Sequence, residues 1–349
     1  MQLLLSKNIE KESFKPNTSF LYKSEKNNFE RKVISLYKFT FIDLFAGIGG
    51  IRRPFQEMGG ECVFSSEIDK FAKKTYEANW GDIPHGDITQ INEKDIPNFD
   101  ILLAGFPCQA FSIAGKRGGF SDTRGTLFFD VARIIKEKQP SAFLLENVKG
   151  LLSHDKGTTF STILSVLEND LNYKVYYKVL NAKDFGVPQN RERIIIVGFK
   201  NKDINFTFPK PFNVPTRVGD ILEENVDVKY TISDKMWNYQ QERKAIQKAK
   251  GNGFGYSLFN KNSPYTSTIS ARYYKDGAEI YIEQENKNPR RLTPREAARL
   301  QGFPDSFKIV VSDNQAYKQF GNSVPTKMIE AVAEKLLQSL YKIDDITSI

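Results

Sequence analysis

The residue with the strongest chemical signal in this 349-residue chain is Cys108, within the string GFPCQAFS at 105–112. A largely apolar run at 99–104 precedes this string, so a buried strand is predicted to end just before the thiol. Loops held by rigid strands often carry reactive groups, and ligands collect at the carboxyl ends of strands in an open α/β sheet. Cys108 is therefore predicted to act as a nucleophile. The alternative is a small core thiol, because free Cys is often simply buried.

Three further polar residues are predicted to reach the same edge of the sheet. Glu146 follows the apolar run 142–145, which again sets a carboxylate at the end of a strand. Arg191 and Arg193 precede the apolar run 194–197, and alternation along an extended segment points both side chains to one side. A thiol, a carboxylate and two guanidinium groups at strand ends can share one pocket. Taken alone, each has an ordinary alternative as an ion pair or a cap.

A glycine-rich turn joins the first predicted strand to a helix in FIDLFAGIGG at 41–50. Such a turn lets a ligand approach the backbone, although a tight turn without a ligand uses the same glycines. Glu67, at the end of the second apolar run, is placed to accept hydrogen bonds from the hydroxyls of a ribose. Asp87 is a second acidic candidate for binding this ligand. Arg52 stands where the third glycine of a dinucleotide fingerprint belongs. This favours another nucleoside, and S-adenosylmethionine fits because it has no pyrophosphate that requires a helix N-terminus.

The elements that must position these residues form an alternating pattern from residue 38 onward. Strands are predicted at 39–44, 61–66, 101–104, 142–145, 174–180 and 193–199, and helices at 51–58, 69–78, 126–138 and 158–170. This alternation predicts an α/β fold with a mainly parallel sheet that is covered by helices on both faces.

The second half of the chain has a different pattern. Prolines at 209, 211 and 215 indicate a linker, and 213–290 is predicted to be a smaller, irregular domain with a helix around 236–250. A capping box in TPRE at 293–296, with Pro at the first helical position, predicts a helix that runs to about 301. A last helix is predicted to start near 325, with its apolar positions on one face that packs onto the sheet.

Composition limits the classes of protein that need to be considered. Lys and Arg number 50 against 42 Asp and Glu, and the net charge of +8 favours a polyanionic partner, a solvated basic surface being the alternative. Only Cys62 and Cys108 are present, so no disulfide framework is expected and a cytoplasmic location is predicted. No run has the length of a membrane span, and the N-terminus does not resemble a signal peptide. Neither His85 nor His154 has a metal-ligand spacing, so no metal is expected.

The chain resembles the cytosine carbon-5 DNA methyltransferases, in particular the single-chain bacterial modification enzymes. The shared motifs come in the order of that family: DLFAGIGG at 43–50, the region of Glu67, GDI at 86–88, GFPCQAFS at 105–112, RGTLFFD at 124–130, ENV at 146–148, QNRER at 189–193, RRLTPREAARLQGFPD at 290–305 and QAYKQFGNSVP at 315–325. The resemblance implies an α/β, Rossmann-like S-adenosylmethionine-dependent methyltransferase fold. Its mixed sheet has helices on both faces, and a small irregular target-recognition domain is added to it.

The resemblance also implies a division of the chain into functional parts. Residues 1–37 are an N-terminal extension, 38–212 with 318–349 form the catalytic and cofactor-binding domain, 213–290 form the target-recognition domain, and 291–317 are a hinge and return segment. The sequence assigns no role to residues 1–37, for which a small regulatory arm is one interpretation.

The implied chemistry gives each candidate catalytic residue a role. Cys108 adds to carbon 6 of cytosine, Glu146 relieves the charge at ring nitrogen 3, and Arg193 contacts the ring carbonyl. Arg191 lies nearer the sugar-phosphate. Methyl transfer to carbon 5 and loss of its proton then release the thiol.

The implied cofactor is S-adenosyl-L-methionine, with S-adenosyl-L-homocysteine as the product and no metal. The resemblance places Phe45 against the adenine, Glu67 on the ribose and Asp87 on the adenine amino group, with Asn322 and Ser323 at the methionine end. Ile68 departs from the family, in which a larger and often aromatic residue follows the ribose acid. The full set of predicted cofactor-binding residues is Phe45, Ala46, Gly47, Gly49, Glu67, Ile68, Asp87, Ile88, Pro107, Leu127, Asn322 and Ser323.

Carbon 6 of cytosine is inaccessible inside a duplex, so the base must leave the stack to be modified. Residues 110–124 have the composition of a mobile loop that closes over this base, with a plain surface loop as the alternative. Cations of this loop are expected on phosphates, and residues of 213–290 on base edges, although the sequence does not give the site that is read. The predicted DNA-binding residues are Gln109, Ser112, Lys116, Arg117, Arg124, Asn252, Arg272, Tyr273, Tyr274 and Lys275.

The leading interpretation is a DNA (cytosine-5-)-methyltransferase of a restriction-modification system. It is expected to be a cytoplasmic monomer that associates with the nucleoid when bound to DNA, with no membrane partner. A cognate restriction endonuclease is expected as a functional rather than a physical partner. The alternatives are a tRNA cytosine-5 methyltransferase and a catalytically silent DNA-binding regulator. Intact Cys108, Glu146, Arg191 and Arg193 argue against the regulator, because a binding module has no use for a nucleophile.

Overall fold

Six strands form the main sheet of the computed structural model, which describes residues 38–107, 127–253 and 255–342. They are β1 (Phe39–Leu44), β2 (Gly60–Ser66), β3 (Ile101–Ala104), β4 (Ala142–Val148), β5 (Lys174–Asn181) and β6 (Glu192–Phe199). Their order is β2-β1-β3-β4-β6-β5. The first four strands are parallel, whereas β6 is antiparallel to both β4 and β5. The sheet is thus mixed, and the start of β6 lies at the edge where the four parallel strands end.

Eight α-helices are present in the described ranges. They are α1 (Arg52–Glu57), α2 (Lys70–Trp80), α3 (Leu127–Lys138), α4 (Thr158–Ser165), α5 (Asp234–Ala249), α6 (Pro294–Leu300), α7 (Asp313–Asn322) and α8 (Thr326–Tyr341). The predicted helix at 158–170 narrows to α4, because 166–170 form a π-helical turn. None of the helices in the described part of the chain is long and apolar enough to span a membrane.

Helices cover both faces of the main sheet, as predicted for this fold class. On one face, apolar residues of α8 such as Met328, Val332 and Leu336 pack with Phe41 and Phe55 in one buried cluster. On the other face, α3 and α4 contribute to a second cluster that includes strand residues of β3, β4 and β6. Burial on both faces explains why the inner strands β3, β4 and β6 contain continuous apolar runs.

The smaller region has its own sheet and core. Strands β7 (Leu258–Phe259), β8 (Tyr281–Gln284) and β9 (Lys287–Arg290) form a three-stranded sheet that the irregular pattern of 213–290 did not predict. A buried cluster joins apolar residues of 218–282 to residues of α6 and α7. The predicted capping box is present at the start of α6, where Thr293 Oγ1 accepts a hydrogen bond from Glu296 N at 3.1 Å and Glu296 Oε2 accepts one from Thr293 N at 2.9 Å. Arg290 pairs with the same buried carboxylate through both of its terminal nitrogens, at 2.7 and 2.8 Å.

Candidate active site

A cleft of about 490 Å³ lies at the edge where the parallel strands end. It is lined by loop residues after β1, β2 and β3, by the end of β4, by the start of β6, and by the last part of α7 with the residues that follow it. Three of the predicted catalytic residues, Glu146, Arg191 and Arg193, meet in this cleft. Cys108 lies outside the described residues, but Pro107, which precedes it in the chain, lines the cleft.

The loop after β1 is held in its tight turn by one carboxylate. Phe45 and Gly47 have φ angles of 55° and 56°, in the left-handed region that an L side chain such as that of Phe45 rarely adopts. Glu67 Oε2 accepts a hydrogen bond from Gly47 N at 2.8 Å, and Glu67 Oε1 accepts one from Asp69 N at 2.7 Å. The carboxylate therefore ties the loop after β1 to the start of α2. Each of its oxygens retains acceptor capacity for a ligand, because an ionised carboxylate has about four lone-pair sites.

Two glycines of this turn are required by close packing rather than by the cleft itself. A Cβ on Gly49 would lie 2.2 Å from Trp80 Nε1, which donates a hydrogen bond to Ile48 O at 3.1 Å. A Cβ on Gly50 would lie 2.5 Å from Ser323 Oγ. The turn is thus packed between α2 and the residues after α7.

The cleft gathers nine of the twelve predicted cofactor-binding residues. They are Phe45, Ala46, Gly47, Glu67, Ile68, Pro107, Leu127, Asn322 and Ser323. Gly49, Asp87 and Ile88 are not among its lining residues. Gly49 packs against Trp80, and Ile88 is the buried first residue of a short 3₁₀ turn. The exposed Asp87 caps this turn and accepts a hydrogen bond from Thr89 N at 3.0 Å.

Glu146 and Arg193 form an ion pair on the wall of the cleft. The distance from Arg193 Nε to Glu146 Oε1 is 2.9 Å, and Glu146 is only 8% exposed. In the antiparallel pairing of β4 with β6, Val148 lies opposite Arg193 and Glu146 lies opposite Ile195. Glu146 and Arg193 are therefore diagonal neighbours on adjacent strands. Burial raises the pKa of Glu146 above its ordinary value, and the charges of Arg193 and Arg191 oppose that rise. The carboxyl group is therefore able to hold a proton at a higher pH than a solvated glutamate.

Asn147 connects this pair to the segment that precedes Cys108. Its Nδ2 donates a hydrogen bond to Phe106 O at 2.9 Å, and its Oδ1 accepts one from Val148 N at 2.8 Å. The residue is 2% exposed. A buried amide that is bonded at both ends fixes the end of β4 relative to Pro107. Asn147 is therefore a residue of the site to which the sequence analysis assigned no role.

The structure places Arg191 differently from Arg193. Arg191 is 1% exposed, and its two terminal nitrogens donate to backbone carbonyls of Ile269, Gly321 and Ser323. The expectation that Arg191 lies nearer a sugar-phosphate is therefore not supported by its hydrogen bonds, because these donors are already used inside the protein.

A buried polar cluster lies beneath the cleft and was not predicted. Asp43 lines the cleft at 1% exposure, and burial raises its pKa well above the ordinary value, while the nearby charge of Arg52 opposes the rise. Arg52 Nη1 donates to Tyr76 Oη at 2.9 Å and to Asp82 Oδ1 at 2.6 Å. Its guanidinium also lies 5.1 Å from the ring centroids of Tyr76 and Trp80. The only feature of the sequence that pointed to this cluster was Arg52, at the position of a third glycine. Its guanidinium packs α1 against α2.

Helix α7 returns to the cleft through polar contacts with α2. Lys318 Nζ lies 2.5 Å from Asp69 Oδ2, and Thr75 Oγ1 donates to Gln319 Oε1 at 3.0 Å. Gln319 Nε2 and Ser323 Oγ are buried and have no hydrogen-bond partner among the described residues. Both residues line the cleft, so its α7 side holds polar atoms that are left to be satisfied.

The predicted DNA-binding residues separate into four groups, of which the buried Tyr273 is the last. Gln109, Ser112, Lys116, Arg117 and Arg124 lie outside the described residues. Arg272, Tyr274 and Lys275 are exposed on one turn, whereas Asn252 is exposed after α5, where its side chain bonds to Gln247.

The prediction that Tyr273 contacts DNA is corrected by its position. The side chain is 0% exposed and packs against Tyr317 with ring centroids 5.1 Å apart. Its hydroxyl donates to Ile280 O at 2.7 Å and accepts from Leu292 N at 2.8 Å. Tyr273 is a core residue of the smaller region, because alternation along this turn sends its side chain inward between two exposed neighbours.

No group of three or more His, Cys, Asp or Glu side chains in the described ranges is arranged to hold a metal ion. That the reaction needs no metal stays a prediction.

Comparisons with known proteins identify what this arrangement resembles. Residues 39–338 match the model of the family described as C-5 cytosine-specific DNA methylase. The chain is 65% identical over 308 residues to the Type II methyltransferase M.SsoII of Shigella sonnei, which covers 87% of this chain and 81% of that protein. It is 62% identical to the Type II methyltransferase M.NlaX of Neisseria lactamica, covering 88% of this chain and 99% of that protein. A crystal structure of a Spodoptera frugiperda DNMT2 mutant is similar in fold, with a TM-score of 0.69 and 25% identity over 86% of this chain and 99% of the other.

Proposed function

Because this chain belongs to the C-5 cytosine-specific DNA methylase family, we propose that the described cleft is where it methylates carbon 5 of a cytosine taken from duplex DNA. The chain is an enzyme of the DNA (cytosine-5-)-methyltransferase class. The observation that carries the assignment of the site is the buried Glu146–Arg193 pair beside Pro107, the residue that precedes Cys108.

The proposed reaction uses Cys108 to activate an unreactive ring. The Cys108 thiolate forms a bond to carbon 6, and the electrons of the carbon 5–carbon 6 double bond become available at carbon 5. Negative charge that develops on the ring is relieved at nitrogen 3 by a proton or a strong hydrogen bond from Glu146, whose burial favours the protonated form. After carbon 5 is methylated, its proton passes to solvent and the electrons of that bond restore the carbon 5–carbon 6 double bond. The bond between carbon 6 and sulfur breaks, the Cys108 thiolate leaves, and nitrogen 3 returns its proton to Glu146.

Arg193 has two roles in this proposal. Its Nε holds the Glu146 carboxyl at 2.9 Å. Its Nη1 donates to Glu192 O at 2.7 Å, so Nη2 is the donor proposed for the ring carbonyl of the flipped base. Arg guanidinium groups suit this task because their donors are arranged in a fixed, planar fork.

The residues of the cleft fit S-adenosylmethionine as the methyl donor. Glu67 is fixed by Gly47 N and Asp69 N with acceptor capacity remaining for ribose hydroxyls. The unpartnered Gln319 Nε2 and Ser323 Oγ on the α7 side suit the polar methionine end. When bound, S-adenosylmethionine supplies the methyl group and leaves as S-adenosylhomocysteine. Asp87 remains a proposed contact for the adenine amino group, although it is not among the residues that line the cleft.

Sequence readout is proposed for the exposed turn that contains Arg272, Tyr274 and Lys275, together with Asn252. Lys116, Arg117 and Arg124, which follow Cys108 in the chain, are proposed to contact phosphates, and such contacts give affinity without sequence information.

The biological role proposed for this chain is protection of host DNA from a partner restriction endonuclease. It is proposed to act as a monomer in the bacterial cytoplasm. The support is that similar proteins such as M.SsoII and M.NlaX are named Type II methyltransferases.

The experiment that tests this function is transfer of labelled methyl from S-adenosylmethionine to several unmodified plasmid and phage DNAs, with tRNA as a parallel substrate. The expected result is incorporation into at least one DNA and none into tRNA. Incorporation into tRNA alone would replace DNA with RNA as the substrate, and binding of DNA without incorporation into either would favour a silent regulator.

A further inference from the structure

The backbone of Ile269 is held from both sides by two side chains that precede β6. Gln189 Oε1 accepts a hydrogen bond from Ile269 N at 3.0 Å, and Arg191 Nη1 donates one to Ile269 O at 2.9 Å. Gln189 is 0% exposed and Arg191 is 1% exposed. The backbone N–H and C=O of Ile269 are thus both fixed by side chains that precede β6, and all three residues are buried.

The same Arg191 guanidinium reaches the residues that end α7. Its Nη2 donates to Gly321 O at 3.0 Å and to Ser323 O at 2.6 Å. Gly321 also packs directly on the 213–290 segment, because a Cβ on this residue would lie 2.2 Å from Ser270 O. Ser323 lines the cleft, and its buried Oγ is one of the unpartnered atoms there.

Arg191 therefore joins two places with different proposed tasks. Ile269 lies three residues before Arg272, on the segment proposed to read DNA, and Ser323 lies at the proposed methionine end of the cofactor cleft. Only a planar group with several donors can bond to carbonyls on both sides at once, and the point charge of a lysine cannot reproduce this fork.

We propose that Arg191 is a positioning residue that couples cofactor binding to DNA binding, by holding Ile269 and Ser323 in one fixed arrangement. This proposal rests on the proposed function of the cleft and of the 213–290 segment. Ordering of Ser323 by a ligand at once orders Ile269 through the shared guanidinium, so the second ligand meets a segment that is already fixed. By linkage, the effect must be equal in both directions.

The test measures how strongly full-length protein binds duplex DNA carrying a methylated site, with and without saturating S-adenosylhomocysteine. The ratio of the two dissociation constants is the coupling factor, which for the unaltered chain is expected within about 5 to 150-fold. In Arg191→Lys the factor is expected to fall close to 1, and the same fall is expected when S-adenosylhomocysteine is titrated with and without DNA.

The control is Tyr173→Phe, which removes the buried hydrogen bond from Tyr173 Oη to Pro140 O at 2.6 Å and leaves the Arg191 contacts in place. It is expected to keep the coupling factor even if it lowers the melting temperature. If Arg191→Lys does not fold, Gln189→Leu is expected to reduce the factor instead. It releases Ile269 N and also removes the bonds from Gln189 Nε2 to Leu300 O and Gln301 Oε1.

The outcomes separate the two proposals. A coupling factor that is the same in the unaltered chain, Arg191→Lys and Gln189→Leu would overturn the role of Arg191 while leaving the methyltransferase function intact. A factor of 1 in the unaltered chain would do the same. Failure of the unaltered chain to bind either ligand would remove the proposed function first, and the coupling with it.

Discussion

Glu146 and Arg193 are diagonal neighbours on the paired strands β4 and β6, with 2.9 Å between the guanidinium Nε and the carboxylate Oε1. Two opposing effects act on the pKa of Glu146, namely its burial and the charges of Arg193 and Arg191. Burial favours its protonated form, while the guanidinium favours the ionised form, so the proton is available for transfer. This relationship gives the cleft a group able to exchange a proton with a ring nitrogen.

Glu146→Gln is expected to lower the turnover rate about 100-fold or more, because the amide cannot transfer a proton. The pH profile gives a sharper test. The pKa of Glu146 is raised, so its protonated form persists above the ordinary range and is lost as pH rises through the shifted pKa. In the unaltered enzyme, this loss is expected to produce an alkaline decline in turnover that is absent from Glu146→Gln. A decline of the same shape in both proteins would contradict the role of Glu146.

Glu67→Gln is expected to weaken binding of S-adenosylhomocysteine, since the amide presents one acceptor where the carboxylate presents two and places an NH₂ group against Gly47 N or Asp69 N. The loss is expected to be about 10-fold or more, because hydrogen bonds to charged groups contribute about 1.5–3 kcal/mol each. Calorimetric titration of S-adenosylhomocysteine without DNA measures the effect. Unchanged affinity would show that Glu67 serves the loop alone.

Asp43→Asn is expected to change how stability depends on pH. The pKa of Asp43 is raised well above its ordinary value in the folded state, so the folded protein binds a proton that the unfolded chain releases. By linkage, this group lowers the free energy of unfolding as pH rises from about 3.9, the unfolded value, through the folded pKa. The difference in urea midpoint between the two proteins is expected to shift in favour of Asp43→Asn across that range. A difference that does not vary with pH would contradict a protonated Asp43.

Gly321→Ala is expected to lower the free energy of unfolding by about 1–3 kcal/mol, the usual cost of forcing an extra methyl into a packed site. The added Cβ would meet backbone atoms of Ser270 and Ala271 at 2.2 to 2.5 Å, which cannot rotate away. Gly86→Ala is the matched control, because a Cβ there has nothing within 4 Å, and a change within about 0.5 kcal/mol is expected. Equal effects of the two substitutions in urea unfolding would refute the close contact.

Patterns within short stretches of sequence were sufficient for most of the main sheet. The strands at 39–44 and 101–104 and the capped helix α6 follow from apolar runs and from the Thr293–Glu296 box. Glu146 and Arg193 were also predicted to share a pocket, but their meeting depends on the direction of β6. This strand runs antiparallel to β4 and therefore starts where β4 ends, which the apolar runs alone do not predict.

Contacts between distant parts of the chain were not predictable in this way. Arg191 bonds to Ile269, Gly321 and Ser323, which are 78 to 132 residues away in sequence. The direction of its side chain is set by the return of α7 and not by its neighbours. Tyr273 was misassigned for a related reason, since an aromatic with a hydroxyl suits both a base edge and a core with polar partners. The division of the chain into functional domains stays a prediction.

The central claim is that Cys108 lets this chain methylate carbon 5 of cytosine in duplex DNA. Bisulfite sequencing of DNA from cells that express the unaltered chain, or Cys108→Ala in its place, tests it most directly. The account predicts protected cytosines at one recurring sequence in the first culture and none in the second. Protection that persists in Cys108→Ala, or no protected sequence in either culture while tRNA becomes methylated, would contradict it.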